Sequence, residues 1–197
     1  AAVRAKYGIG SNPFILGLGT IQPRKNYKRL IRAFATLQSL VSDLRPPTSG
    51  LELVIAGGKG WLYDDIFAEV KRLGLEGRVL FPGFVDDDDL PTLYSAAEAL
   101  AFPSIYEGFG LPILEAMACG TPVVTSVTSS LPELAGDAAL LVEPTDMDAI
   151  ATALRRLLQE ADLRHKLVAA GFDQARKFTW EKAAAQLLGV YESIGAK

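Results

Sequence analysis

The sequence predicts an α/β fold, a parallel β-sheet with helices on both faces. Three observations lead there. Short apolar runs without polar alternation recur along the 197 residues, as strands buried on both faces require. Segments with helical spacing of apolar residues separate those runs, the pattern of strand-helix-strand crossovers. Gly19-Thr20, Gly57-Gly58, residues 81–85 and Glu107 each follow a run, so chain order alone gathers them at the carboxyl edge of the sheet. That edge is where ligands bind in such folds.

The elements follow in order. Residues 14–19 form a short buried-strand candidate, after which Leu30, Phe34, Leu37, Val41 and Leu44 recur at helical spacing. Pro46-Pro47-Thr48-Ser49-Gly50 marks a loop. Residues 51–56 read as the second strand, 63–73 as a helix and 79–81 as the third strand. A helix starts near Asp88 with Pro91 in its first turn, where the missing N–H costs nothing. Residues 99–102 and 123–125 are strands flanking a short helix at about 110–119, and 139–142 is the sixth strand. Helices from about Met147, Ala161 and Thr179 complete the chain, with no internal repeat or low-complexity tract.

Composition narrows the function classes. With 49% hydrophobic residues the chain has enough apolar mass for one well-cored domain. A net charge of −3 with 22% charged residues argues against disorder and against nucleic acid as partner. No run approaches the length of a membrane span, and Arg4 and Lys6 are followed by no apolar stretch of the kind a signal peptide has. The single Cys119 precludes an internal disulfide, fits a reducing cytosol, and is expected in packed core beside Ala116, Met117 and Ala118.

Residues 104–124, SIYEGFGLPILEAMACGTPVV, carry the most chemistry. Glu107 stands ahead of a Gly108-Phe109-Gly110 turn and Glu115 behind it, in the helix. A strand-turn-helix of this kind aims free backbone N–H groups and a positive helix end at one point, a site for phosphate or hydroxyl groups. The rise of a helix separates the two carboxylates by roughly 8 Å along its axis, too far to share a proton. They suit the two ends of a nucleotide-sugar instead: sugar near Glu107, diphosphate at the turn, ribose near Glu115.

This block resembles the E-x7-E signature of retaining glycosyltransferases of the GT-B fold, in the large group-1 (GT4-like) family. LGLGTIQPRKNYKRLIRAF (16–34), LELVIAGGKG (51–60), VLFPGFV (79–85) and SSLPELAGDAALLVEP (129–144) follow in the family's order. The resemblance implies a Rossmann-like domain, the C-terminal, nucleotide-sugar-binding half of a GT-B enzyme, spanning residues 1–197. It implies that residues 1–11 are the crossover from an absent N-terminal domain, and that the helix in 179–197 packs back on that domain. Leu187, Leu188, Val190 and Tyr191 would then form an exposed apolar strip.

By the same resemblance Glu107 and the backbone around Gly108, Phe109, Gly110 and Leu111 hold the donor sugar, and Glu115 holds the ribose. Lys25 and Arg24 stabilise the departing diphosphate, beside Gly19 and Thr20, and the backbone at Phe84 and Val85 reads the base. Many members place an arginine where this chain has Thr20, which makes Arg24 the substitute candidate. The implied function is transfer of a hexose with retention, without a metal or other cofactor. The donor is a GDP- or UDP-linked sugar, with GDP-mannose suggested by PRKN together with YEGFGLPILEAMACG. The acceptor site belongs to the missing half, so the chain alone is expected to be inactive. It would be cytoplasmic, with any membrane docking through that half. The alternative is a nucleotide-binding regulatory or scaffold module.

Other constellations point elsewhere and are weaker. Asp86 to Asp89 contains Asp-x-Asp, which a GT-A transferase uses to bind a divalent metal. Its place before a helix favours N-capping instead. Gly17-Leu18-Gly19 and Gly57-Gly58-Lys59-Gly60 resemble dinucleotide loops, but neither completes G-x-G-x-x-G, which disfavours a dehydrogenase. His165, flanked by Arg164 and Lys166, is expected on a helix surface.

Overall fold

The computed structural model describes residues 2–41 and 50–195. Leu44, the side chain of Val41 and residues 46–49 of the expected loop lie outside the described residues. The described strands are β1 (Phe14–Leu18), β2 (Glu52–Ala56), β3 (Val79–Gly83), β4 (Ala99–Phe102), β5 (Val123–Ser126) and β6 (Ala139–Val142). They form one sheet of order β3-β2-β1-β4-β5-β6, with every pair parallel. The order reverses between β1 and β4, which opens a crevice beyond their carboxyl ends. β3 runs two residues past its expected end, through Pro82; it is an edge strand, where a missing N–H is tolerated.

Alternation along each strand divides the core into two layers. Ile15, Leu53, Ile55, Ala99 and Ala101 pack with α2 (Tyr27–Val41), α3 (Asp64–Arg72) and α7 (Met147–Gln159). Phe14, Leu16, Val54, Leu100 and Phe102 pack with α4 (Leu90–Ala96), α5 (Leu111–Ala118) and α6 (Leu131–Ala135). Both faces of the sheet are therefore covered, as its uninterrupted apolar strands demand. α8 (Ala161–Ala175) joins α5 and carries the exposed His165. The Asp146 carboxylate caps α7 by accepting from the Ala149 N–H at 2.9 Å.

Two short helices depart from the sequence expectations: α1 (Ala2–Lys6) and α6, each five residues long. Cys119 is only half-buried, at the C-terminal end of α5, and burial raises its thiol pKa. α9 (Trp180–Gly195) buries no residue, and the expected apolar strip of Leu187, Leu188, Val190 and Tyr191 is exposed. Among the described residues no helix is long and apolar enough to cross a membrane.

α3 is tied to α2 by the buried Glu69, whose Oε1 accepts from Arg32 Nε and Arg72 Nη2, each at 2.6 Å. Arg72 and Arg32 hold the Glu69 carboxyl at about 2, against an ordinary value of 4.5. A folded pKa below the unfolded one gives stability that is complete above about 4.5 and disappears as pH falls toward about 2. Both arginines are substantially solvated, so Glu69→Gln is expected to cost only about 1 kcal/mol at pH 7. Urea titrations of the two proteins should converge near the acid end of that window.

Candidate functional site

The loops leaving β1, β2 and β3 are stitched together at the carboxyl edge. Gly19 N–H donates to Ala56 O at 2.9 Å, Gly57 N–H to Gly83 O at 2.7 Å and Ile21 N–H to Gly58 O at 2.8 Å. This closeness depends on glycine: a Cβ on Gly57 (φ +144°) would lie 2.2 Å from Gly19 O. Thr20 packs against Gly60, where a Cβ would lie 2.7 Å from Thr20 Cγ2. Beneath them Tyr27 donates to Gly19 O at 3.1 Å, and burial keeps its phenol protonated by raising its pKa.

Arg24 and Lys25 lie on a 3-10 turn (Pro23–Lys25) that Asn26 anchors in the left-handed region, φ +61°. The Asn26 amide donates to Pro103 O at 2.9 Å and Pro144 O at 2.7 Å, pinning the turn to the loops after β4 and β6. From there the Lys25 side chain crosses Gly19, where any Cβ would sit 2.9 Å from Lys25 Cε. Its ammonium lies 2.7 Å from Glu107 Oε1 and 4.6 Å from the centre of the Phe102 ring. Arg24 Nη1 reaches the other carboxylate oxygen at 2.5 Å and also donates to Tyr106 O at 2.8 Å.

Lys25 and Glu107 are each 8% exposed, whereas Arg24 faces solvent more openly. Burial pushes the Glu107 carboxyl up, but Lys25, with Ser104 and then Arg24 adding to it, outweighs this and holds it below the usual carboxylate range. The site thus carries two cations against one fixed carboxylate, leaving excess positive charge beside the start of α5. Serines of the next loop fix the backbone of this segment. Glu107 N–H donates to Ser129 Oγ at 3.1 Å, and Ser130 Oγ lies 3.1 Å from Glu107 O and 2.5 Å from Phe109 O.

Gly110, with φ +121°, turns the chain into α5 one residue later than expected, packed so closely that a Cβ would lie 2.8 Å from Leu131 Cδ2. Having no side chain, it supplies no side-chain cap; Pro112 has no N–H and Ile113 N–H donates to Gly110 O at 3.0 Å, so the uncapped N–H at the start of α5 is that of Leu111. Gly108 has open space around it, and Phe109 and Leu111 line a cleft of about 360 Å³ against Phe178 and Trp180 at the base of α9. Glu115 projects from α5, and Tyr94 OH donates to its Oε2 at 2.7 Å. Burial, with the Glu115 carboxylate, pushes the Tyr94 phenol far up, which makes it a permanent donor. Phe84 is exposed beyond β3 while Val85 is buried.

The structure thus brings Arg24, Lys25, Gly19 and Glu107 into contact and places Thr20, Phe84, Val85 and residues 108–111 after the carboxyl ends of β1, β3 and β4, with Glu115 farther along, within α5. Glu115 makes its contact with Tyr94, separately from Glu107. Asn26, Tyr94, Ser129 and Ser130 were not anticipated as site residues. The quoted segments contain Asn26, Ser129 and Ser130, but bonds to distant backbone atoms leave no local signal. The acidic run is corrected too. Neither Asp86 nor Asp89 caps its helix; both bind Lys6, at 2.7 and 2.6 Å. Among the described residues no cluster of three or more His, Cys, Asp or Glu is arranged to hold a metal.

Fold and site together define an α/β protein with two cations and one carboxylate clustered in the crevice at its topological switch point. Residues 2–174 match the family of glycosyl transferases group 1, and the chain belongs to that family. It is 42% identical to O-antigen chain mannosyltransferase B of Escherichia coli over 98% of its own length and 49% of that protein's. It is 36% identical to a D-inositol 3-phosphate glycosyltransferase of Stackebrandtia nassauensis, covering 96% and 44% of the two chains. The chain therefore spans about half the length of these curated relatives. Among solved structures it is similar to sucrose-phosphate synthase of Thermosynechococcus elongatus, with TM-score 0.81 and 32% identity over 98% of this chain and 48% of that one. It is also similar to Anabaena HepE in complex with UDP and glucose, with TM-score 0.82 and 25% identity over 98% and 51%.

Proposed function

We propose that this chain is the donor-binding half of a retaining, metal-independent hexosyltransferase, with GDP-mannose as donor. The observation that carries the reading is the Lys25–Glu107–Arg24 cluster laid across Gly19 beside the uncapped start of α5. A departing nucleoside diphosphate develops negative charge, and fixed cations in a partly dry site stabilise it without reorganisation. Lys25 and Arg24 fill that role; both exchange part of their contact with Glu107 for phosphate oxygens. The N–H groups of Gly110 and Leu111 add the positive end of α5.

Glu107, relieved of some of its cation contact, accepts from hydroxyls of the donor sugar. Glu115, one oxygen of which already accepts from Tyr94, offers the other to the ribose. Backbone groups at Phe84 and Val85 contact the base. The leaving diphosphate assists deprotonation of the acceptor on the same face, which gives retention. The mannosyl donor is favoured by relatives named as mannosyltransferases, including O-antigen chain mannosyltransferase B and WbdA of Escherichia coli. A second domain supplies the acceptor site and covers the apolar strip of α9, and the enzyme works in the cytoplasm.

Calorimetric titration with GDP and UDP tests this. GDP is expected to bind more tightly than UDP, and Glu115→Ala to weaken GDP by about tenfold, the loss of a charge-assisted hydrogen bond to the ribose. Tighter binding of UDP would replace the donor assignment, and an unchanged affinity in Glu115→Ala would remove Glu115 from the site.

A further inference from the structure

The segment after β3 is held in shape by residues nearly eighty positions earlier. Gly83, with φ +83°, accepts from Gly57 N–H at 2.7 Å and so anchors one end of the segment. At the other end Asp86 N–H donates to Tyr7 OH at 3.0 Å, and that hydroxyl donates in turn to Asp89 Oδ2 at 2.8 Å. The Lys6 ammonium bridges Asp86 Oδ2 and Asp89 Oδ2 at 2.7 and 2.6 Å. Between the anchors Val85 is buried in a cluster that includes Ile9, with Tyr7 packed against it, and Phe84 stands exposed.

Four adjacent carboxylates would otherwise repel one another and spread this turn. Lys6 bridges two of them with its single positive charge, and Tyr7 fixes the backbone at Asp86. We propose that Lys6 and Tyr7 are positioning residues for the nucleobase, clamping residues 83–86 so that Phe84 and the adjoining backbone meet a planar purine or pyrimidine. The inference rests on the donor-binding reading above and deepens it: the α1 segment, which precedes the whole sheet, sets the geometry of base recognition at its far edge.

Lys6 and Tyr7 touch no phosphate-binding group, so the clamp affects ligands with a base and not those without one. The test is calorimetric titration of wild type, Tyr7→Phe and Lys6→Met with GDP, UDP and inorganic pyrophosphate, alongside amide exchange at Asp86. Tyr7→Phe is expected to weaken the preferred nucleoside diphosphate by about fivefold, to leave pyrophosphate within about twofold, and to speed exchange at Asp86. Lys6→Met should do the same more weakly, its ion pairs being solvent-exposed.

Unchanged nucleotide affinity in Tyr7→Phe, an equal loss for pyrophosphate, or unaltered Asp86 exchange would each overturn the positioning role while leaving the donor reading intact. A wild-type chain that binds neither GDP nor UDP would overturn the donor reading itself, and this inference with it.

Discussion

Lys25→Met is expected to weaken binding of a nucleoside diphosphate by more than about 100-fold and to cost about 3 kcal/mol of stability at neutral pH. Lys25 is the buried cation of the site, 2.7 Å from the equally buried Glu107. Removing it leaves a desolvated carboxylate whose remaining cation is the more exposed Arg24. The pH dependence should change sign with it. In the wild type the Glu107 carboxyl is held below its usual range, so its contribution to stability is present above that range and lost as pH falls through the folded pKa. Without Lys25, burial dominates and raises the carboxyl, so acidification toward its folded pKa should relieve the variant. Denaturant unfolding across pH measures both slopes. The double variant Lys25→Met/Glu107→Gln should recover most of the stability and none of the binding.

Gly57→Ala should be as damaging for a different reason. The added Cβ would meet the backbone oxygen of Gly19 at 2.2 Å, at a φ of +144° that L-residues rarely adopt. Neither loop can yield without breaking the Gly19–Ala56 and Gly57–Gly83 hydrogen bonds. A loss of about 3 kcal/mol is expected, together with the crevice geometry on which Lys25 rests. Gly58→Ala is the control: a Cβ there meets nothing within 4 Å, and it should shift stability by less than about 0.5 kcal/mol. Thermal unfolding of the pair decides whether close approach of the loops, rather than loss of a glycine as such, matters.

Much of this arrangement was legible because it is local. Strand-length apolar runs identified β4 and β6 to the residue, and Glu107, the Gly-Phe-Gly turn and Glu115 announced a strand-turn-helix from one stretch of chain. The helices α1 and α6 escaped notice because five residues hold too little of a helical period to register. Contacts between distant positions were invisible for another reason. Nothing in the neighbourhood of Tyr94 points to Glu115, and nothing near Lys6 points to Asp86. The acidic run misled because Asp before a helix is ordinarily a cap, whereas here Lys6 of α1 and the Tyr7 that follows it supply a cation and a hydroxyl that outcompete the helix N–H groups. Asn26, too, looks like an ordinary loop residue until the fold brings Pro103 O and Pro144 O to its amide.

The most direct measurement is a crystal structure of this chain grown with GDP. The account predicts diphosphate oxygens on Lys25 and on the N–H groups of Gly110 and Leu111, ribose hydroxyls on Glu115, and the base against Phe84 and Val85. The same nucleotide seated elsewhere, for example in the cleft of about 430 Å³ lined by Tyr27, Lys28, Arg29 and Asp65, would contradict it. So would a crevice in which Lys25 and Arg24 keep Glu107 as their partner and contact no phosphate.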